Sequence, residues 1–144
     1  MARMKILHRD RDLLVVHKPS GMKTYRDDRG ESGDSAYDIL KRQFPEAKLH
    51  PVHRLDRGTD GLLVFSFRPD VANKLQKAFR EGRVRKTYWA LVWGDPPARG
   101  EWNAPLSERE SGSTQRATTK FWTRGRFETP DEDATGLPFS WIEC

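Results

Sequence analysis

Cysteine is nearly absent: the only one in 144 residues is Cys144. No disulfide pair and no multi-cysteine metal framework can form within the chain, and this usage suits a reducing cytoplasm. Long apolar runs are also lacking. The opening "MARMKILHRDRD" has no apolar stretch of the signal-peptide kind, and no segment approaches the ~20 apolar residues that span a bilayer, so secretion and membrane insertion are not expected. Apolar residues make up 35% of the chain, and even with its 11 glycines added they fall short of the roughly 45–50% usual in globular chains. A thin core is expected.

Site motifs are missing as well. There is no Gly-rich phosphate loop and no His-Glu-x-x-His zinc motif. The four histidines, His8, His17, His50 and His53, form no recognised ligand cluster. His50 and His53 could face together on a helix, but Pro51 lies between them and closed zinc sites normally need four ligands.

What the chain does have is positive charge. Lys plus Arg number 26 against 21 acids, a net charge of +5. The excess is local: residues 74–86 hold Lys74, Lys77, Arg80, Arg83, Arg85 and Lys86, opposed by Glu81 alone. Such a face is either solvated surface or a seat for a polyanion.

Periodicity predicts strands over 12–19, 61–67 and 83–94, helices within 33–45 and 68–82, and later strands within 115–127 and 137–144. Asp34 or Ser35 is the candidate cap of the first helix, and Pro45 its stop. Val71, Leu75, Ala78 and Phe79 mark one side of the second helix, which should end at Gly82. Alternation in the third strand places Tyr88 on the same face as Lys86. Residues 94–113, rich in Gly, Pro and Ser, read as a long connection, and 128–136 as an acidic turn region. The order suggests one α+β domain, residues 1–144, with a mixed or antiparallel sheet.

Within "HRLDRGTDGLLVFS", residues 53–66, Asp56 stands ahead of a strand on a glycine-rich turn, where scaffolds often display functional groups. Two readings are open. Asp56 is either half of a structural ion pair with Arg54 or Arg57, or a catalytic carboxylate. Tyr88 is likewise either a packing aromatic or a stacking surface for a ligand.

Three stretches in order carry a resemblance. "HRLDRGTDGLLVF" resembles the His-Arg-Leu-Asp-x-x-Thr-Ser-Gly-Leu-Leu signature of the RluA family of RNA pseudouridine synthases, "HKPSGM" its upstream Lys-Pro-Ala/Ser-Gly segment, and "RVRKTYWALVWG" its Lys-x-Tyr strand. The resemblance covers about residues 5–125. It implies a pseudouridine-synthase fold, tRNA or rRNA as partner, and neither metal nor organic cofactor; a cytoplasmic monomer is expected.

By the same resemblance Asp56 matches the catalytic aspartate, Tyr88 the tyrosine that packs on the target base, and Arg54 the motif arginine beside the flipped nucleotide. Lys74, Lys77, Arg80, Arg83, Arg85 and Lys86 are then candidates for the RNA backbone. Asp60 departs from the family's Ser; it is expected to turn outward or to meet Arg57. The family's Thr-Gly-Arg-x-His-Gln-Ile-Arg segment is not in the sequence, so the expectation is a partial catalytic domain lacking its C-terminal part, with activity of this length in question. A catalytically inactive RNA-binding module of the same fold is the alternative, and an unrelated α+β protein with a structural Asp56 a third.

Overall fold

The structure, a computed structural model, describes residues 2–25, 34–107, 114–128 and 138–144. The chain forms two compact units, Met1–Val84 and Arg85–Cys144. Every strand pairing among the described residues is antiparallel, which resolves the expected mixed or antiparallel sheet in favour of the second.

The first unit holds β1 (Lys5–Arg9), β2 (Leu13–Lys18), α1 (Ala36–Gln43), β3 (His50–Pro51), β4 (Gly61–Ser66) and α2 (Pro69–Arg80). Its sheet has the order β1-β2-β4-β3. Along β2 the side chains alternate, so that Leu14, Val16 and Lys18 point inward while their neighbours stay half-exposed. Leu14 faces Phe65 and Val16 faces Leu63 across the β2–β4 ladder, and Ile39 and Leu40 of α1 complete this core.

Ser35 starts α1 through a capping box: its hydroxyl accepts the Asp38 N–H, and the Asp38 carboxylate accepts the Ser35 N–H. α2 has Pro69 at its start and closes on Gly82 at φ 68°, where the Gly82 and Arg83 N–H groups return to the carbonyls of Phe79 and Ala78. Ala72 is its one buried residue; Val71, Leu75, Ala78 and Phe79 are half-buried. The edge strand β1 was not foreseen. All five of its residues are exposed, so the sequence carries no inward-outward signal there.

The second unit holds β5 (Trp89–Trp93), β6 (Arg99–Trp102), β7 (Leu106–Ser107), β8 (Thr114–Gln115), β9 (Thr119–Glu128) and β10 (Pro138–Glu143). The main sheet has the order β5-β10-β9-β6, and β7 and β8 form a separate pair. Two expectations are corrected. The strand predicted over 83–94 begins at Trp89, and just before it Tyr88 adds one further rung by exchanging backbone hydrogen bonds of 2.6 and 2.8 Å with Cys144; residues 83–87 are not strand. Strand alternation therefore does not place Tyr88 and Lys86 on one face.

The predicted long connection contains β6 and β7. Gly100 sits opposite Phe121, where an added Cβ would lie 2.7 Å from the ring, so a glycine that reads as a loop signal is here a strand residue pressed against an aromatic. Residues 108–113 and most of the acidic 128–136 stretch lie outside the described residues.

Candidate active site

The loop between β3 and β4 presents the "HRLD" stretch, and the segment after β2 holds it. The Leu55 backbone is clamped on both sides by the buried Thr24 hydroxyl, which accepts the Leu55 N–H at 3.1 Å and donates to its carbonyl at 2.8 Å. Leu55 buries its side chain, while Arg54 and Asp56 on either side are exposed. The Gly21 N–H donates to the Arg57 carbonyl at 2.8 Å, a close approach with Gly21 at φ 83°. Ser20 Oγ donates to the Gly58 carbonyl at 2.9 Å, and Arg57 Nε to the Gly21 carbonyl at 3.1 Å. "HKPSGM" and "HRLD" are thus one hydrogen-bonded structure.

Lys18 lies beneath it. This side chain has no exposed surface, and its ammonium donates to the carbonyls of Met22 (2.7 Å), Pro19 (3.2 Å) and Arg57 (3.4 Å). Burial lowers its pKa, opposed by the Asp60 and then the Asp56 carboxylates. This role is not legible in the sequence, where Leu13 to Val16 are all apolar and do not mark which positions face inward; the structure turns position 18 inward with 14 and 16.

Asp56 itself is 85% exposed and lies 3.9 Å from Arg54, itself 77% exposed. An ion pair so long and so wet is worth about 0–1 kcal/mol, so the pairing with Arg54 contributes little to holding the loop. The loop is instead fixed by its backbone, including the Thr59 N–H to Asp56 carbonyl bond of 3.0 Å, leaving the carboxylate displayed. Tyr25, half-buried nearby, has its hydroxyl pushed up to about 12 by burial and by Tyr37, with Arg54 acting the other way.

Asp60 turns outward, 58% exposed, but its partner is His17 rather than Arg57. The β2–β4 register sets Lys18 opposite Gly61 and His17 opposite Leu62, which brings His17 Nε2 within 2.9 Å of Asp60 Oδ1. That hydrogen bond, outweighing partial burial, lowers the Asp60 pKa. On α2, Lys74, Lys77 and Arg80 are exposed, as is Arg83 just beyond it. Glu81 takes both Lys77 at 3.7 Å and Arg83 at 2.6 Å, and Lys74 and Arg80 form no ion pair with a described residue.

Tyr88, Arg85 and Lys86 belong to the second unit. Tyr88 is 40% exposed and lines an open cavity of about 650 Å³ together with Arg85, Lys86, Lys120, Trp122 and Glu143. Among the described residues no group of three His, Cys, Asp or Glu is placed to hold a metal, and no helix is long and apolar enough to cross a membrane.

The family model for RNA pseudouridylate synthase matches residues 12–138. The chain belongs to that family. The dual-specificity RNA pseudouridine synthase RluA of Escherichia coli K12 is 38% identical over 102 residues, covering 70% of this chain and 46% of the relative. The rat mitochondrial pseudouridylate synthase RPUSD4 is 34% identical over 121 residues, 78% of this chain and 31% of the relative. The chain therefore spans less than half the length of these curated relatives.

The solved structure of human RNA pseudouridylate synthase domain containing 4 superposes with a TM-score of 0.72 at 26% identity, covering 96% of this chain and 57% of that one. Human RNA pseudouridylate synthase domain containing 1, at 22% identity and a TM-score of 0.74, supports the same pseudouridine-synthase fold.

Proposed function

We propose that the protein to which this chain belongs isomerises uridine to pseudouridine in structured RNA, tRNA or rRNA, with Asp56 as the catalytic carboxylate and residues 1–144 as part of one catalytic domain. The observation that carries this reading is the display of Asp56: exposed, paired among the described residues only with Arg54 at 3.9 Å, on a loop tied down by residues 18–24. A fixed backbone under a free carboxylate is what positioning catalysis needs. Membership in the family and the names of its relatives support the RNA substrate.

The reaction breaks the N1–C1′ glycosidic bond of uridine and joins C1′ to C5; C5 gives up its proton and N1 gains one. A carboxylate can serve it as nucleophile or as base. Extruding the base from the RNA costs a few kcal/mol, and stacking on an aromatic such as Tyr88 returns about 1–3 kcal/mol. Arg54, beside Asp56, suits the phosphates of the flipped nucleotide. Lys74, Lys77 and Arg80 on α2, with Arg83, Arg85 and Lys86, suit the RNA backbone. The chemistry draws on side chains alone, and a soluble monomer of the cytoplasm is the proposed setting.

The test is tritium release from 5-tritiated uridine in tRNA and rRNA transcripts by the full-length protein. Asp56→Asn is expected to abolish release, a loss of at least about 10³-fold, while RNA binding persists. Release at the unsubstituted rate would remove Asp56 from the reaction.

A further inference from the structure

His53 opens the "HRLD" stretch but has no part in the chemistry above, and its surroundings are specific. β3 pairs with β4 through His50 opposite Ser66 and Pro51 opposite Phe65. The next pair would be Val52 with Val64, and half of it forms: the Val52 N–H donates to the Val64 carbonyl at 3.1 Å. The reciprocal bond of a regular ladder would run from the Val64 N–H to the Val52 carbonyl. Instead the Val64 N–H donates to His53 Nε2 at 3.2 Å.

The imidazole thus takes the place of a backbone acceptor at the last rung, and the chain is free to leave the sheet there. Three residues later it presents Asp56. An Nε2 that accepts puts the ring proton on Nδ1, which faces the Arg54 carbonyl at 3.4 Å.

The ring also has a second attachment. It stacks on Phe79 of α2, with centroids 4.7 Å apart and planes 14° from parallel. One turn earlier, Gln76 Nε2 donates to the Pro51 carbonyl at 2.7 Å. α2 therefore grips the β3 end at two points, one on each side of Val52. The exposed Lys74, Lys77 and Arg80 ride on that same helix.

We propose that His53 is a positioning residue: by closing the β3–β4 ladder with its ring and stacking on Phe79, it sets where Arg54 and Asp56 stand and holds them in fixed register with the cations of α2. The proposal rests on the reading of Asp56 as the catalytic carboxylate. It assigns His53 to the rate of isomerisation rather than to RNA affinity. The Val64 N–H loses its acceptor when the ring is removed, whereas a side-chain amide of similar reach restores one.

The experiment compares His53→Ala, His53→Gln, Phe79→Leu and Asp56→Asn in the full-length protein. It measures the single-turnover rate of tritium release at saturating 5-tritiated uridine transcript, the Kd for that transcript, and the melting temperature. His53→Ala is expected to slow the rate by about tenfold or more with Kd changed less than about threefold, and His53→Gln to recover most of it. Phe79→Leu should give an intermediate loss.

A His53→Ala rate within about twofold of the unsubstituted protein overturns the proposal, and so does a loss seen equally in Kd. Should His53→Ala fail to fold, His53→Gln and Phe79→Leu decide: both at the full rate sink it, and a slowed Phe79→Leu beside a near-normal His53→Gln upholds it. Undiminished release by Asp56→Asn would overturn the reading of Asp56 as the catalytic carboxylate on which the proposal stands, a result distinguishable from any failure at His53.

Discussion

The two units bury their apolar residues very differently. In Met1–Val84, strands β2 and β4 send Leu14, Val16, Leu63 and Phe65 into a core with no exposed surface at those positions. In Arg85–Cys144, which holds all five tryptophans of the chain, one face of the sheet stays open: Trp89 is 52% exposed, Leu91 57% and Trp93 75%. Those three lie opposite Glu143, Trp141 and Phe139 of β10, so the open side is continuous across two strands. Trp89 stacks on Trp141 and Phe127 on Phe139, yet Trp89, Trp141 and Phe127 stay exposed. The lesson concerns the site: an exposed loop can be fixed when its backbone is tied to a sealed core, which is the situation of Asp56.

The sharpest way to break this comparison is to truncate one large residue in each unit. Phe65→Ala removes a fully buried ring from the first core and is expected to cost about 3–5 kcal/mol. Trp93→Ala removes a larger ring that is mostly in water and should change stability by no more than about 0.5 kcal/mol. Urea denaturation followed by far-UV circular dichroism measures both; equal losses would mean that Trp93 is covered in solution.

The next test lies inside the second unit. Its other sheet face is packed, since Gly100 meets the buried Phe121, whose ring stacks on Trp102 at 3.9 Å. Gly100→Ala would force that ring aside and is expected to destabilise by about 1–3 kcal/mol. Gly58→Ala, in the loop that bears Asp56, meets nothing within 4 Å and should be close to neutral. The same urea experiment decides, and a neutral Gly100→Ala would show that Phe121 yields freely.

The sequence made visible what depends on local pattern. The β2 strand, a cap at Asp34 or Ser35 of which the structure uses Ser35, and the Gly82 stop of α2 all follow from residue type and spacing. The display of Asp56 could be named through motif resemblance, but the reason it is held was not legible. That reason is the Thr24 clamp on Leu55, 31 residues away, and the Lys18 ammonium under Arg57, 39 residues away. His17 meeting Asp60 likewise requires the β2–β4 register, which no window of sequence contains. β6 was hidden for the opposite reason: glycine and proline dominate its neighbourhood, and a glycine selected by a ring across the sheet looks the same as one selected by a turn.

The smallest expected effect tests whether the polar ties of the first unit extend to its edge. Asp10 turns the chain between β1 and β2; its Oδ1 accepts the N–H groups of Asp12 and Leu13 at 2.8 and 2.7 Å, and Oδ2 pairs with His8 Nε2 at 3.0 Å. These bonds, the one to His8 foremost, hold its pKa down at about 2, below the ordinary 3.8. A carboxyl depressed on folding stabilises the fold above its unfolded pKa, and that contribution disappears as pH falls through the folded value. The loss therefore belongs between about pH 4 and pH 2. Asp10→Asn should remove this part of the acid slope while leaving the urea midpoint at neutral pH only slightly lowered, because the group is exposed and two of its acceptor bonds can be kept by the amide oxygen. Urea midpoints at pH 7, 4, 3 and 2 for both proteins give the answer: identical slopes below pH 4 would mean that the β1–β2 turn is held by its backbone alone, and that the ties seen around Asp56 stop short of the edge strand.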